Sequence, residues 1–384
     1  MEQIYTFVIM KRVLFIGNPQ SVHDLKWIEY LNRSSDVEAF ISFKNKLSFA
    51  ENNYFNSNGI KIGPIFNDFS FFNWIKNYRT YRLFKKFVNE FNINCLHIFV
   101  GTSQVIMPSF LKLPIVLTTR GTDVNFTLTQ LSKSRELKGK LLFKIMENAY
   151  KRVDQITCTS NTQIRALNNA VPSLKKKPIL VRTGVDLEGV MNSQAGKLSS
   201  DSKRENTVFF IRNIHKNYDP LFSVEGVVKL EKNLIDKTHF IFMMGRNYTV
   251  PLYKEMKNIL ETNNISHSFI EPVPNDEVWK LIKLADLIVM NPLSDGTPNS
   301  AIEVMGAKRK LIMGYCDYDN DLFNESTTVF LSKRDSSELA EKISYQLSND
   351  NTELLESAFK TVWEKGRQSS EMQKILNLYS CLLS

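Results

Sequence analysis

Cysteine is scarce and scattered. Cys95, Cys158, Cys316 and Cys381 are the only four in 384 residues, with no CxxC pair and no Cys/His cluster at ligand spacing. That excludes a disulfide framework and a structural zinc site, and it suits thiols in a reducing compartment. No apolar run approaches the length that spans a bilayer. The opening MEQIYTFVIMKRVLFIG places Glu2 first and Lys11-Arg12 after the apolar stretch, the reverse of a signal peptide. Met10 reads as a natural start, residues 1–9 as a peripheral extension, and the chain as cytoplasmic. Solenoid repeats and low-complexity tracts are absent. So is the full G-x-G-x-x-G fingerprint, of which only Gly17 is present, and this argues against an NAD or FAD enzyme.

What is present is globular composition, 43% hydrophobic and 23% charged, in a length that suits two cores. The net charge of +9 is uneven. Residues 1–185 hold 26 Lys/Arg against 12 Asp/Glu, a net of +14, while residues 186–384 carry −5. Such asymmetry points to two domains with different partners.

Short apolar runs alternate with helical periods along the chain. Val13–Ile16, Leu96–Val100, Ile115–Thr118, Gln155–Thr159 and Ile179–Val181 read as buried strands. Met191–Asn206 is polar and aperiodic, a linker. Strands then resume at Val208–Ile211, His239–Met244, Ser268–Ile270, Leu287–Met290 and Lys310–Gly314, with helices between them. Continuous apolar strands joined by helices predict parallel sheets covered on both faces. The tail from Leu354 to Leu383 reads as one or two helices.

Ligands of such sheets sit beyond the carboxyl ends of the strands. The segment after Leu287–Met290 contains Ser294-Asp295-Gly296-Thr297-Pro298-Asn299, and a helix starts near Asn299. A helix start offers free N–H groups and a positive dipole end to a phosphate. Asp295 lies in the loop and Glu303 one turn inside the helix, placed to accept hydrogen bonds from hydroxyls. By local pattern alone, a turn aspartate and a solvated helix glutamate explain them equally well. Arg212 and Lys216 follow the strand Val208–Ile211, where a diphosphate needs cations. Arg120-Gly121-Thr122-Asp123 follows Ile115–Thr118, reading equally as a site or as a turn with an Asx cap. Gly17-Asn18-Pro19 follows the first strand.

The spacing of Asp295 and Glu303, within SDGTPNSAIEVMGAKRKLI, resembles the E-x7-E donor motif of retaining family 4 glycosyltransferases with the GT-B fold. Asp295 stands for the first Glu. Val304-Met305-Gly306-Ala307 stands for the usual Ala-Met-Ala. The resemblance extends to Arg182-Thr-Gly184-Val185-Asp186, to Glu271–Trp279 and to Trp363. It implies an α/β chain of two Rossmann-like doubly wound domains with a cleft between them. The first would span 1–187, joined by C-terminal helices from about 363 to 384, and the second 188–362. It implies that Glu303 binds ribose and Asp295 faces the donor hexose. Arg212 and Lys216 would hold the diphosphate, Pro272 and Val273 the base, and Gly17 would let backbone N–H groups approach. Gly296, Thr297, Pro298 and Asn299 would complete the donor site. Asp123, grouped with the catalytic residues Arg212, Lys216 and Asp295, would order the acceptor side with Arg120. The substrate implied is a nucleoside-diphosphate sugar, with no metal or other cofactor. The acceptor implied is a lipid-linked glycan or polysaccharide of the bacterial envelope.

The stripe Trp74, Tyr78, Tyr81, Phe84, Val88 and Phe91 reads first as core-facing, flanked by Arg79, Arg82, Lys85 and Lys86. Its second reading, with Lys175-Lys176-Lys177, is docking to an anionic membrane surface at the inner face of the cell membrane. No nucleic-acid module is present, so no nucleic-acid partner is expected. Two other classes stay open. One is a GT-B-fold nucleotide-sugar epimerase, which would need acid/base residues such as His23, His97 or Asp123. The other is a non-catalytic nucleotide-binding scaffold.

Overall fold

Strand-forming runs in the first part of the chain assemble one sheet, β1 (Lys11–Gly17), β2 (Val37–Phe43), β3 (Lys61–Ile62), β4 (Cys95–Phe99), β5 (Ile115–Thr119), β6 (Gln155–Cys158) and β7 (Ile179–Leu180). The order is β3-β2-β1-β4-β5-β6-β7, and every pairing is parallel. Alternation in β1 feeds two cores, with Leu14 and Ile16 in one and Val13 and Phe15 in the other. Each such fully buried side chain contributes roughly 1.5–3 kcal/mol. Five of the seven strands were expected. In β2 the run is broken by Glu38, and β3 has only two residues.

The second sheet holds β8 (Asn206–Phe210), β9 (Thr238–Met243), β10 (His267–Ile270), β11 (Leu287–Met290), β12 (Lys310–Met313) and β13 (Val329–Phe330). Its order is β10-β9-β8-β11-β12-β13. In both sheets the order reverses beside the first strand, between β1 and β4 and between β8 and β11. Loops leaving these neighbours diverge, and ligands bind at such switch points.

This computed structural model describes residues 10–44, 46–197 and 204–384. The expected extension 1–9 and the middle of the expected linker, 198–203, lie outside the described residues. The chain divides into Met1–Thr183 with Glu371–Ser384, and Gly184–Ser370. The first boundary falls four residues before the expected one. The return falls at Glu371 and not near 363, for a packing reason. Ala358 and Val362 are buried in the second unit's core, with Trp363 against it, so helix Thr352–Lys365 belongs there. Only helix Gln368–Leu383 enters the first core, through Met372, Ile375 and Tyr379.

The aromatic stripe faces the core only at its far end. Phe84 is buried, and Tyr81, Val88 and Phe91 pack beside it, but Trp74 and Tyr78 are exposed. The cause is polar. At the start of helix Trp74–Glu90 the inward positions are Asn77 and Thr80. Asn77 is fastened to Ser70, donating to its carbonyl at 2.7 Å and accepting from its N–H at 3.0 Å. The aromatic side of that first turn therefore points outward.

His239 in β9 is buried with its ring nitrogens 2.8 and 2.9 Å from the hydroxyls of Ser266 and Ser268. Burial pushes its pKa down to about 4. The unfolded chain therefore binds the proton first, so the stability tied to neutral His239 is full above about pH 6.5 and is lost toward pH 4. We expect acidification through that window to cost the second unit about 2–3 kcal/mol, and His239→Gln to flatten the loss. Urea unfolding of both proteins at either end of the window checks this. Equal pH dependence of the two would refute it.

Candidate active site

The second unit's switch point assembles the candidate site. Arg212 leaves the end of β8, and Asp295 lies on the loop after β11. One guanidinium nitrogen of Arg212 donates to Asp295 Oδ2 at 3.0 Å and another to Ser300 Oγ at 3.0 Å. The guanidinium lies over the Tyr218 ring, 4.2 Å from its centroid. A planar fork held on three sides is aimed rather than mobile, as bidentate anion recognition requires. Burial raises the Asp295 pKa, and the Arg212 charge opposes that rise.

The Asp295 loop is fixed from beneath. Asp295 N–H donates to Cys316 Sγ at 3.2 Å. Thr297 donates its hydroxyl to the buried Asp319 at 2.8 Å, and Gly296 C=O accepts from Asp319 N–H at 2.9 Å. Pro298 then occupies the N-cap of helix Asn299–Gly306 and supplies no side-chain acceptor. The positive end of the helix therefore carries no side-chain cap from Pro298. Ser300, in its first turn, brings Arg212 to the same end. Lys216 is exposed in the turn Lys216–Tyr218. That turn is joined to the site loop, because Asn217 C=O accepts from Leu293 N–H at 2.7 Å.

Glu303 is buried, not a solvated helix charge, and accepts from Asn275 Nδ2 at 3.1 Å. Asn275 opens the helix that follows Pro272 and Val273, so the loop expected to hold the base adjoins the carboxylate. Pro272 is exposed, while Val273 packs against the core. The sequence offered no cue to Asn275, Ser300, Tyr218 or Tyr318. The last is buried with an unpartnered hydroxyl, and burial raises its pKa, with the charges of Cys316 and Asp295 adding to the rise.

The other expected residues form a separate cluster in the first unit, where the carboxylates are satisfied but the two terminal guanidinium nitrogens of Arg120 are buried without a hydrogen-bond partner. Gly17 leaves little room for a side chain, since a Cβ would stand 3.0 Å from Asp24 Oδ2 and 3.1 Å from Phe99 and would press on both. The N–H groups after it are already used. Asn18 donates to Asp24 at 3.1 Å, Gln20 to the Asn18 side chain at 3.0 Å, and Ser21 to Asn18 C=O at 3.0 Å. Arg120 pairs with the same Asp24 at 3.0 Å, its guanidinium 4.7 Å from both the Trp27 and Phe99 rings. Asp123 accepts N–H bonds from Gly101 (2.6 Å), Arg120 (3.0 Å), Gly121 (2.8 Å) and Val124 (3.1 Å). Burial raises its pKa, and these four donors oppose the rise. Asp123 therefore positions two loops.

His97 is fully buried between the Tyr379 hydroxyl at 2.5 Å and Thr118 Oγ1 at 2.6 Å, with its pKa pushed well down by burial. It locks helix Gln368–Leu383 to β4 and is unavailable as a general acid. His23 is exposed on helix Val22–Asn32.

Residues 12–160 match the family described as Glycosyl transferase 4-like. None of the curated proteins matches the chain. Among solved structures, the chain resembles a glycosyltransferase from Rickettsia africae at 13% identity and TM-score 0.75, covering 97% of this chain and 98% of that one. It also resembles Anabaena Alr3699/HepE, solved in complex with UDP, at 11% identity and TM-score 0.74, covering 97% and 100%. A sucrose-phosphate synthase from Thermosynechococcus elongatus follows at 12% and 0.71, covering 97% and 99%. Residues 12–160 thus resemble the Glycosyl transferase 4-like family, and the fold is GT-B, two Rossmann-like units.

Proposed function

We propose that this glycosyl transferase 4-like chain of GT-B fold moves a hexose from a nucleoside-diphosphate sugar to a lipid-linked or polysaccharide acceptor, with retention. The setting of the reading is cell-surface polysaccharide synthesis at the cytoplasmic face of a bacterial membrane. The observation that carries it is the meeting of Arg212, Asp295 and Ser300 at one helix start on a sheet switch point. One structural relative of the same fold, Anabaena Alr3699/HepE, has been captured with UDP and with UDP-glucose, which supports the donor class.

In this reading the bond from the anomeric carbon to the diphosphate breaks, a bond to an acceptor hydroxyl oxygen forms on the same face, and that hydroxyl's proton passes to the departing diphosphate. Negative charge grows on the departing diphosphate. Arg212, Lys216 and the positive end of helix Asn299–Gly306 meet that charge, a stabilisation greater in the transition state than in the ground state. Asp295 faces the sugar and fixes Arg212, while Glu303 accepts from ribose hydroxyls. The reading assigns no metal to the site.

A thermal-shift screen with UDP-, GDP- and ADP-sugars tests it. A donor at a hundred times its dissociation constant stabilises the protein by about 2.7 kcal/mol. Glu303→Ala is expected to abolish the shift while leaving the far-ultraviolet circular dichroism unchanged. Retention of the full shift in Glu303→Ala, or no shift with any sugar nucleotide, overturns the reading.

A further inference from the structure

The first unit carries an apolar surface that its own core does not explain. Phe72 is 88% exposed, Leu137 84% and Trp74 73%. Ile75, Tyr78 and Leu141 are exposed around them. These residues come from two elements, the start of helix Trp74–Glu90 with the turn before it, and the start of helix Leu137–Arg152. Lys138 joins them, its ammonium lying 5.6 Å from the centre of the Phe72 ring. Both helices also pack against the turn Pro108–Phe110. An exposed aromatic and aliphatic cluster built from two helices is unusual on a solvated surface and marks an interaction site.

The charge around it selects the occupant. On helix Trp74–Glu90, positions 74, 75 and 78 share the outward side with Arg79, Arg82 and Lys86, all exposed. On helix Leu137–Arg152, Leu137 and Leu141 share it with Lys138, Lys140 and Lys144. The acidic residues of that helix region are Glu136, exposed beside Leu137, and Glu147, which is taken up by Lys144 at 2.9 Å and Lys151 at 2.7 Å, so cations outnumber them. Aromatic rings and leucines ringed by cations fit the interfacial region of a bilayer with anionic headgroups. Among the described residues no helix is long and apolar enough to cross a membrane, so insertion would stop at the interface.

We infer that Phe72, Trp74, Ile75, Leu137 and Leu141 insert into an anionic lipid surface, with Arg79, Arg82, Lys138, Lys140 and Lys144 pairing with its headgroups. This goes beyond the donor-site reading and does not depend on it. A lipid-linked acceptor would be presented at that same surface.

Vesicle sedimentation with the full chain tests it, using phosphatidylcholine with and without phosphatidylglycerol. The chain is expected to sediment with the anionic vesicles and only weakly with the neutral ones. Replacing Lys138, Lys140 and Lys144 by serine weakens partitioning about a hundredfold, since each cation near the surface accounts for about fivefold. Phe72→Ser with Trp74→Ser weakens it at least about tenfold. Brominated lipid quenches the fluorescence of the wild type, and Trp74→Phe removes that quenching. Unchanged stabilisation by sugar nucleotides in these variants shows that they are folded and keeps the donor reading separate. The inference is overturned by no partitioning, by partitioning that ignores these substitutions, or by equal binding to neutral vesicles. It is also overturned if sedimentation velocity shows a dimer that Phe72→Ser with Trp74→Ser disperses, which would make a second copy the occupant.

Discussion

Arg212→Ala lowers kcat/KM for the sugar-nucleotide donor by about 10²- to 10³-fold, the usual loss when one preorganised donor to a developing oxyanion is removed. The size follows from where the guanidinium sits. It is the only described cation bonded to both Asp295 and the first turn of helix Asn299–Gly306, and Tyr218 keeps its plane in register. In the proposed reaction its loss removes charge opposite the leaving group, and it leaves Asp295, whose pKa burial already raises, without its counter-ion. The defect therefore appears in kcat more than in KM, because the contact matters most where charge develops. Arg212→Lys keeps the charge but not the fork and recovers only part of the rate. Steady-state kinetics on the three proteins, with thermal melts to confirm folding, read this directly. A rate for Arg212→Ala within threefold of wild type would remove Arg212 from the reaction.

Asp123→Ala is expected to destabilise the first unit by about 3–5 kcal/mol, a large share of the stability of a typical domain. The carboxylate gathers N–H groups of Gly101, Arg120, Gly121 and Val124 from the loops after β4 and β5. Gly121 adopts φ +116, a conformation other residues rarely reach, so this loop is built around its carboxylate. Truncation strands buried donors, each costing roughly 1–3 kcal/mol less whatever water regains. Asp123→Asn retains one acceptor oxygen and loses about half as much. Urea unfolding followed by near-ultraviolet circular dichroism measures both. If Asp123→Ala instead unfolds like wild type yet loses turnover, the residue acts on substrate and not on the loops.

Much of the second unit's fold was legible in the sequence. Leu287–Met290 is apolar throughout, so its place inside a sheet, and not at an edge, follows from hydrophobicity. The loop after it must carry the site residues, because side chains inside such a strand are buried. The eight-residue interval from Asp295 to Glu303 is likewise a property of the chain. Its partners were not legible. Asn275 is 28 positions from Glu303, and Arg212 is 83 from Asp295. No local pattern reports which distant loops the sheet order brings together. The first half was read less well. Arg120, expected on the acceptor side, pairs with Asp24 beneath two rings, while its two terminal guanidinium nitrogens have no hydrogen-bond partner. Asp24 drew no notice, since a single carboxylate in an amphipathic helix looks solvated. The stripe beginning at Trp74 has the period of a core face along its whole length, and only Asn77 and Thr80 turn its first part outward.

The order of apolar runs and turns along this chain determined two parallel sheets, the loops that leave them and the residue types on those loops. Those features depend on near neighbours in sequence, where periodicity and side-chain size suffice. Tertiary structure decided which charges are spent and which remain available. A carboxylate saturated by backbone N–H groups and one facing a guanidinium are the same letter in sequence. Only the partners that folding delivers, and the water it removes, separate Asp123 from Asp295.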